Sequence, residues 1–418
     1  MRWENSIAKF GEFEGNLNEI YKEWCQVAED EKRNNRCKIH FLKAMSGDCF
    51  LLEFLDGNCI LIDCGYKSTY ETELKPLLNE LHSKGCRISL LVVTHMDEDH
   101  IGGAIALIQD NGDNNAPNII AIDNIWFNGI FDVCQNCNYV LSHLVDCLSE
   151  KDNKKYAYIR TELFKLIGNG EGFISANQAE AFELLCKSNH YRLNESTPNG
   201  LVTNGMKLEI GECKVSVLSP SINEVEHFAK WIDKSLIGCL GKNYKLEKSS
   251  FIEYIEKVVI ARGKDEEGSC GSEVISAGRS NIQDWIGTST LANMNEANRM
   301  SIVIEIEFDG KSMLFVGDSE SGDWVSRAKS QYHLVKISHH GTTKPNLKML
   351  ECIDFNRVLI STNGKKNHPE NDLLARLLMK RVEHIYFNYD IRQKENILAY
   401  QNECGFIAHF GEELIDVS

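Results

Sequence analysis

The segment Thr94-His95-Met96-Asp97-Glu98-Asp99-His100-Ile101-Gly102-Gly103 sets four ligand-type side chains, His95, Asp97, Asp99 and His100, within six residues. It follows directly on the apolar run ISLLVV. Polar groups gathered at the end of a buried strand need compensation, and a divalent cation supplies it. Imidazoles suit Zn, Fe or Mn and carboxylates suit harder ions, so the mixed set fits a transition-metal or Mn site. The spacing lets His95, Asp97 and Asp99 converge from a tight loop, with His100 opening a helix at Gly102-Gly103. A solvated acidic turn with incidental histidines is the plainer alternative, and it accounts for less of the pattern.

Three more segments repeat the placement. Asp63 ends the strand-like run CILID before Gly65, Asp318 ends MLFVGD, and His339 and His340 follow HLVKIS before Gly341. In open α/β sheets ligands collect beyond the carboxyl ends of strands, so four such ends would bring these groups together. Taken singly, an Asp after a strand is more often a turn former or helix cap.

The elements that must position these residues read as an α/β chain in two similar halves. KIHFL, CFLLEFL and NCILID are short strands with turns at Ser46-Gly47-Asp48 and Asp56-Gly57. Leu74, Leu77, Leu78 and Leu81 recur at helical spacing between Glu71 and Lys84. Residues 124–200 look mostly helical. Strands return at MKLEI and CKVSVLSP, and again from Ser301 in SIVIEIEF, KSMLFVGD, HLVKIS, RVLIST and HIYF. Residues 1–36 read as an acidic helical extension and 37–410 as the main domain, interrupted at about 126–200 and 222–297. Residues 411–418 read as a C-terminal tail.

Composition narrows the classes. With 418 residues, 43% hydrophobic and 25% charged, the chain is globular rather than fibrous or disordered. Its 61 acidic against 45 basic residues give a net charge of −16, so no overall field draws it to nucleic acid or anionic lipid. A local basic patch is still available, from Lys344, Lys348, Lys365 and Lys366 or from Lys154, Lys155 and Arg160. The N-terminus lacks an apolar leader, and no apolar run is long enough to span a bilayer. Fifteen cysteines, an odd number without a repeating spacing, suit a reducing, cytoplasmic setting with thiols packed as small hydrophobes. Cys134 and Cys137 form a lone CxxC.

THMDEDHIGG resembles the HxHxDH signature of the metallo-β-lactamase superfamily, with Asp97 in place of the second His. That variant resembles the β-lactamase-like domain of competence DNA-uptake channel proteins. AMSGDCFLLEF, LIDCG, NRMSIVIEIEFDGKSMLFVGD, KISHHGT and STNGKKNHP match that subgroup in order. The resemblance covers about 39–125, 201–220 and 298–410. It implies an αββα four-layer sandwich with helical insertions and a site at one edge holding one or two divalent ions, Zn or Mn. One ion would take Asp99, His100, Asp318 and a His from the 339–340 pair. The other would take His95, Asp97 and one further His, for which His190 and His227 are candidates by position. The Asp at position 97 tilts that second set towards Mn or Mg.

The expected chemistry is hydrolysis by a metal-activated hydroxide. Asp63 and Asp97 could orient the water or accept its proton, and His340 or His368 could donate to the substrate or leaving group. His368 could equally fix the turn before Pro369. Lys344, Asn367 and His368 are the candidate substrate contacts. The resemblance favours a phosphodiester, hence a nuclease or phosphodiesterase acting on nucleic acid or a nucleotide. A small-molecule ester or lactone hydrolase, or a non-catalytic interaction module, are the alternatives. A protein partner would dock through 1–36 or 222–297, and no membrane is involved. Gly263, Gly268, Gly271 and Gly278 suit a lid over the site. Limited proteolysis of the free chain is then expected to cut within 260–280, and protection of that whole stretch would count against a lid.

Overall fold

The structure is a computed structural model describing residues 36–129, 133, 176–240, 282–289, 291, 294 and 296–417. The N-terminal extension, the CxxC pair, the Lys154/Lys155/Arg160 cluster and the Gly-rich stretch at 263–278 lie outside the described residues.

Short apolar runs broken by turn residues fold into two sheets. The first takes β1 (Cys37–Phe41), β2 (Phe50–Phe54), β3 (Asn58–Ile62), β4 (Arg87–Val92) and β5 (Ile125–Trp126). The second takes β6 (Lys207–Ile210), β7 (Cys213–Ser219), β8 (Val303–Phe308), β9 (Lys311–Phe315), β10 (Gln331–Lys336), β11 (Asp354–Ile360), β12 (His384–Phe387) and β13 (Ile407–Phe410). A last strand, β14 (Leu414–Asp416), returns to the first sheet. The orders are β14-β1-β2-β3-β4-β5 and β13-β12-β11-β10-β9-β8-β7-β6.

Both faces of each sheet are apolar, and that dictates the layering. Ile39, Phe41, Phe50, Leu52, Ile60, Leu90 and Val92 of the first sheet meet Val215, Ile304, Ile306, Phe315, Leu334 and Leu359 of the second. The outward residues Leu51, Leu61, Ile88 and Leu91 pack under helices α1 (Lys75–Ser83), α2 (Glu98–Asn111), α3 (Ala176–Ser188) and α4 (Ile222–Leu240). On the far side Leu314, Val335, Val358 and Ile385 pack under α5 (Leu347–Cys352), α6 (Asn371–Met379) and α7 (Lys394–Cys404). Two sheets face to face with helices on both outer surfaces form the expected αββα sandwich.

Three expectations change. The tail from 411 supplies β14, which pairs antiparallel with β1, Ile415 opposite Ile39, and Ile415 and Val417 are buried between the sheets. The two-residue alternation there was too short to read as a strand. The first part of the 222–297 insertion is α4, whose Val225, Phe228 and Ala229 belong to the outer core of the first sheet. And α2 begins at Glu98, with Asp97 as its N-cap, four residues before Gly102.

The glycines sit inside that helix for a different reason. A Cβ on Gly103 would lie 2.0 Å from the carbonyl oxygen of Cys64, and the Gly103 amide donates to the Gly65 carbonyl at 2.7 Å. Gly103 therefore lets α2 press its second turn against the Cys64-Gly65 segment just past β3. Gly103→Ala is expected to destabilise the fold by about 1–3 kcal/mol through overpacking, measured by chemical denaturation.

Candidate metal centre

The parallel register of β3 and β4, Ile62 opposite Val92, sets Asp63 beside Thr94 just past the strand ends. Asp63 is fully buried with φ 54°. Its Oδ1 accepts from the Thr94 amide at 2.7 Å, and its Oδ2 from the Thr94 hydroxyl at 2.8 Å. The same Oδ2 lies 2.8 Å from His100 Nδ1. Asp63 thus stands behind His100 and orients its ring, a role beyond the expected handling of water. Such a carboxylate behind an imidazole fixes its tautomer and aims the other nitrogen.

The other imidazoles are aimed in the same way. The Thr94 hydroxyl already donates to Asp63, so towards His95 Nδ1, at 3.1 Å, it can only accept. His95 then carries its proton on Nδ1, where Ser301 Oγ is also within 3.3 Å. His340 Nδ1 faces the Ser361 carbonyl at 3.2 Å. In all three rings the Nε2 atom is left, and His95 Nε2, His100 Nε2 and His340 Nε2 are each buried without a hydrogen-bond partner.

These bare nitrogens converge on carboxylates. His95, His100 and Asp318 form one compact group, and Asp99, His100 and His340 another, each able to hold an ion. Asp318 Oδ2 stands 3.3 Å from His340 Nε2 and 3.5 Å from His100 Nε2, and Asp99 Oδ2 is 3.3 Å from His340 Nε2. Asp97 Oδ2 lies 3.6 Å from His95 Nε2, on the partly exposed side. Buried ring nitrogens without a hydrogen-bond partner are costly, and a divalent cation fits this set of imidazoles and carboxylates.

The expected residues thus meet, with differences in rank. Of the double His, His340 is the buried member close to both carboxylates, and His339 Nε2 is 3.9 Å from Asp318. His368 packs its ring 5.8 Å from His339 and 6.3 Å from His340. Asn367 accepts from Arg392 at 3.1 Å, and Lys344 starts the turn that follows the double His. His190 instead lies against Asp113 at 3.1 Å and His227 near Glu296 at 3.9 Å, both exposed. Neither completes the second ligand set.

Sequence reasoning missed Asp48 and Lys336. Asp48 was read only as part of a turn. It is buried, ion-paired with the equally buried Lys336, and 3.6 Å from His340 Nδ1. Its amide donates to the Asp99 carbonyl at 3.1 Å, an approach that Gly47 permits, since a Cβ there would lie 2.1 Å from that carbonyl oxygen. The signal was available: Asp48 precedes β2, whose start pairs with the end of β3 (Phe50 opposite Ile62), next to Asp63. Lys336 was visible as a lone charge in the apolar run HLVKIS.

Electrostatics follow from burial and proximity. Burial works against charge on Asp318, but His340, His100 and Lys336 override it and hold the carboxyl well below the usual range. Burial also opposes charge on His340, yet Asp318, Asp99 and Asp48 raise its pKa to about 10. His368 goes the other way: burial, with His339 and His340 beside it, lowers it to about 3.

Residues 42–123, which carry the Asp48 turn, Asp63 and the THMDEDH segment, match the family model of the Metallo-beta-lactamase superfamily. A solved structure similar to the chain is the metallo-beta-lactamase fold protein YhfI from Bacillus subtilis, at 6% identity and a TM-score of 0.34, over 91% of this chain and 99% of that one. No curated protein matches the chain. The superfamily match agrees with the sandwich and with a site for divalent ions. Members are usually hydrolytic, and the fold also has non-catalytic ones. No helix among the described residues is long and apolar enough to cross a membrane.

A proton on His340 at pH 7 must leave before Nε2 can bind a cation. Its pKa in the metal-free fold lies above the ordinary value, so apparent affinity for Mn²⁺ or Zn²⁺ should rise with pH through neutrality towards about 10. Calorimetry in buffers of different ionisation enthalpy should register net proton release at pH 7.

Proposed function

We propose that the chain is a metal-dependent hydrolase acting on phosphodiester bonds, with a nucleic acid or nucleotide as substrate. The observation that carries the reading is the convergence of His95 Nε2, His100 Nε2 and His340 Nε2, buried and without partners, around Asp318 and Asp99. A divalent ion bound there supplies hydrolytic power near neutral pH by acidifying water and holding charge that builds on the substrate.

The protein's own residues do the rest. Asp63 and Thr94 lock His100 and His95 in one tautomer. Asp97, with about a third of its side chain exposed, is the carboxylate placed to receive a proton or act as a hard ligand. His368 stays neutral across the physiological range and serves as an N–H donor or acceptor rather than a charge.

The phosphodiester assignment rests on two features. The site is rich in carboxylates, which favour harder ions with an affinity for phosphate oxygens. And lysines accompany its segments: Lys366 acts electrostatically on His368 and Glu98, and Lys344 begins the turn that follows the double His. With a net charge of −16, recognition of a polyanion would fall to these local lysines and the bound ion.

The test is purified wild type beside Asp99→Ala/His100→Ala, assayed on single- and double-stranded DNA, RNA and a generic phosphodiester with Mn²⁺ and with Zn²⁺. Elemental analysis of the same samples should give one or two ions per chain in the wild type. Loss of those ions and at least a hundredfold loss of cleavage in the variant is the expected result. Bound metal with cleavage of model esters only would move the assignment to a small-ester hydrolase. A folded wild type without metal would sink the catalytic reading and leave an interaction module.

A further inference from the structure

Lys336 is a charged side chain on the inner face of the second sheet, paired in register with the core residue Leu359, and it is 1% exposed. A lysine this deeply buried needs partners for its charge. Its Nζ donates to the Gly317 carbonyl at 2.8 Å, forms a close ion pair with Asp48 Oδ2, and stands 3.5 Å from Asp318 Oδ1. The two oxygens of Asp318 therefore divide. Oδ1 faces the ammonium, while Oδ2 faces His340 Nε2 at 3.3 Å and His100 Nε2 at 3.5 Å.

We propose that Lys336 is a positioning residue: held by Asp48 and the Gly317 carbonyl, it draws one oxygen of Asp318 by charge alone, at 3.5 Å and without a hydrogen bond, and leaves the other to the imidazole nitrogens as a single-oxygen ligand. The inference rests on the metal-dependent reading above. It assigns a role to Asp48 as well, as the counter-charge that holds the buried ammonium beside Asp318.

The sign of the effect separates this role from simple electrostatics. A fixed positive charge repels a cation, so as a mere neighbour Lys336 would weaken metal binding and its removal would tighten it. As a positioning residue it strengthens binding, because without it Asp318 is free to rotate or to engage another donor.

The experiment uses the full-length chain and the variants Lys336→Met and Lys336→Met/Asp48→Asn. Affinities for Mn²⁺ and for Zn²⁺ are measured by competition with a chromophoric chelator, with thermal melts of the metal-free proteins alongside. The double variant exchanges a buried ion pair for neutral groups of similar size, a change that folded proteins tolerate. It decides the matter if the single variant, with Asp48 left unpaired, fails to fold. The expected result is at least a tenfold loss of affinity in each folded variant. Unchanged or tighter binding overturns the proposal. So does a double variant that cannot fold, since the pair would then be a core element rather than a device of the site. A wild type that binds neither ion is a different failure, seen before any variant is made, and it removes the metal reading itself.

Discussion

The organising constraint is the packing of carboxylates into the seam between two apolar sheets. Asp48, Asp63 and Asp318 are almost wholly shielded from water, and Asp99 largely so. An isolated buried carboxylate is prohibitive, so each must be given donors or a counter-charge. Asp63 receives the Thr94 amide and hydroxyl and the His100 ring. Asp48 receives Lys336. Asp318 shares Lys336 and faces two imidazoles. These carboxylates, together with three imidazole nitrogens that lack hydrogen-bond partners, are what make the seam a candidate cation site.

No single half of the chain can satisfy that constraint. Asp48, Asp63, His95, Asp99 and His100 come from the first sheet and its connections, and Asp318, Lys336 and His340 from the second. The seam is stitched where the site lies. Ile302 donates its amide to the Thr94 carbonyl at 2.8 Å, Ser361 its hydroxyl to the Gly47 carbonyl at 2.6 Å, and Asn388 its side-chain amide to the Leu42 carbonyl at 2.9 Å. The inter-sheet core sets the distance between the halves, and these bonds set their registration at the site end. Loops on a rigid scaffold can then hold ligands to the tolerance that metal binding requires.

Much of this was legible in the chain. The strand runs and their turns gave an α/β chain in two halves, and the two-sheet sandwich was what the resemblance of its motifs to the metallo-β-lactamase superfamily implied. His95, Asp99, His100, Asp318 and His340 were each marked by a position just past a strand end. Asp63 was marked too, but its role was not: whether a carboxylate faces solvent or the back of an imidazole depends on a neighbour, here Thr94, that is ordinary as a residue type. Asp48 looked like a turn former because Ser-Gly-Asp is turn chemistry, and here it is both a turn and a buried counter-charge. The strand at 414–416 was too short for its alternation to stand out, and it forms because β1 offers an edge and the seam offers cover for Ile415 and Val417.

The sequence by itself therefore determined most of the ligand-type groups and the strand ends at which they sit, since local periodicity and residue type report on burial and ligand character directly. The tertiary structure alone decided how those groups divide their work: Asp63 behind His100, His340 ahead of His339, Asp48 against Lys336, and the exclusion of His190 and His227. Those choices depend on distances between segments tens to hundreds of residues apart, from Asp63 and His100 within the first sheet to Asp48 and Lys336 across the seam, and no local pattern in the chain encodes such distances.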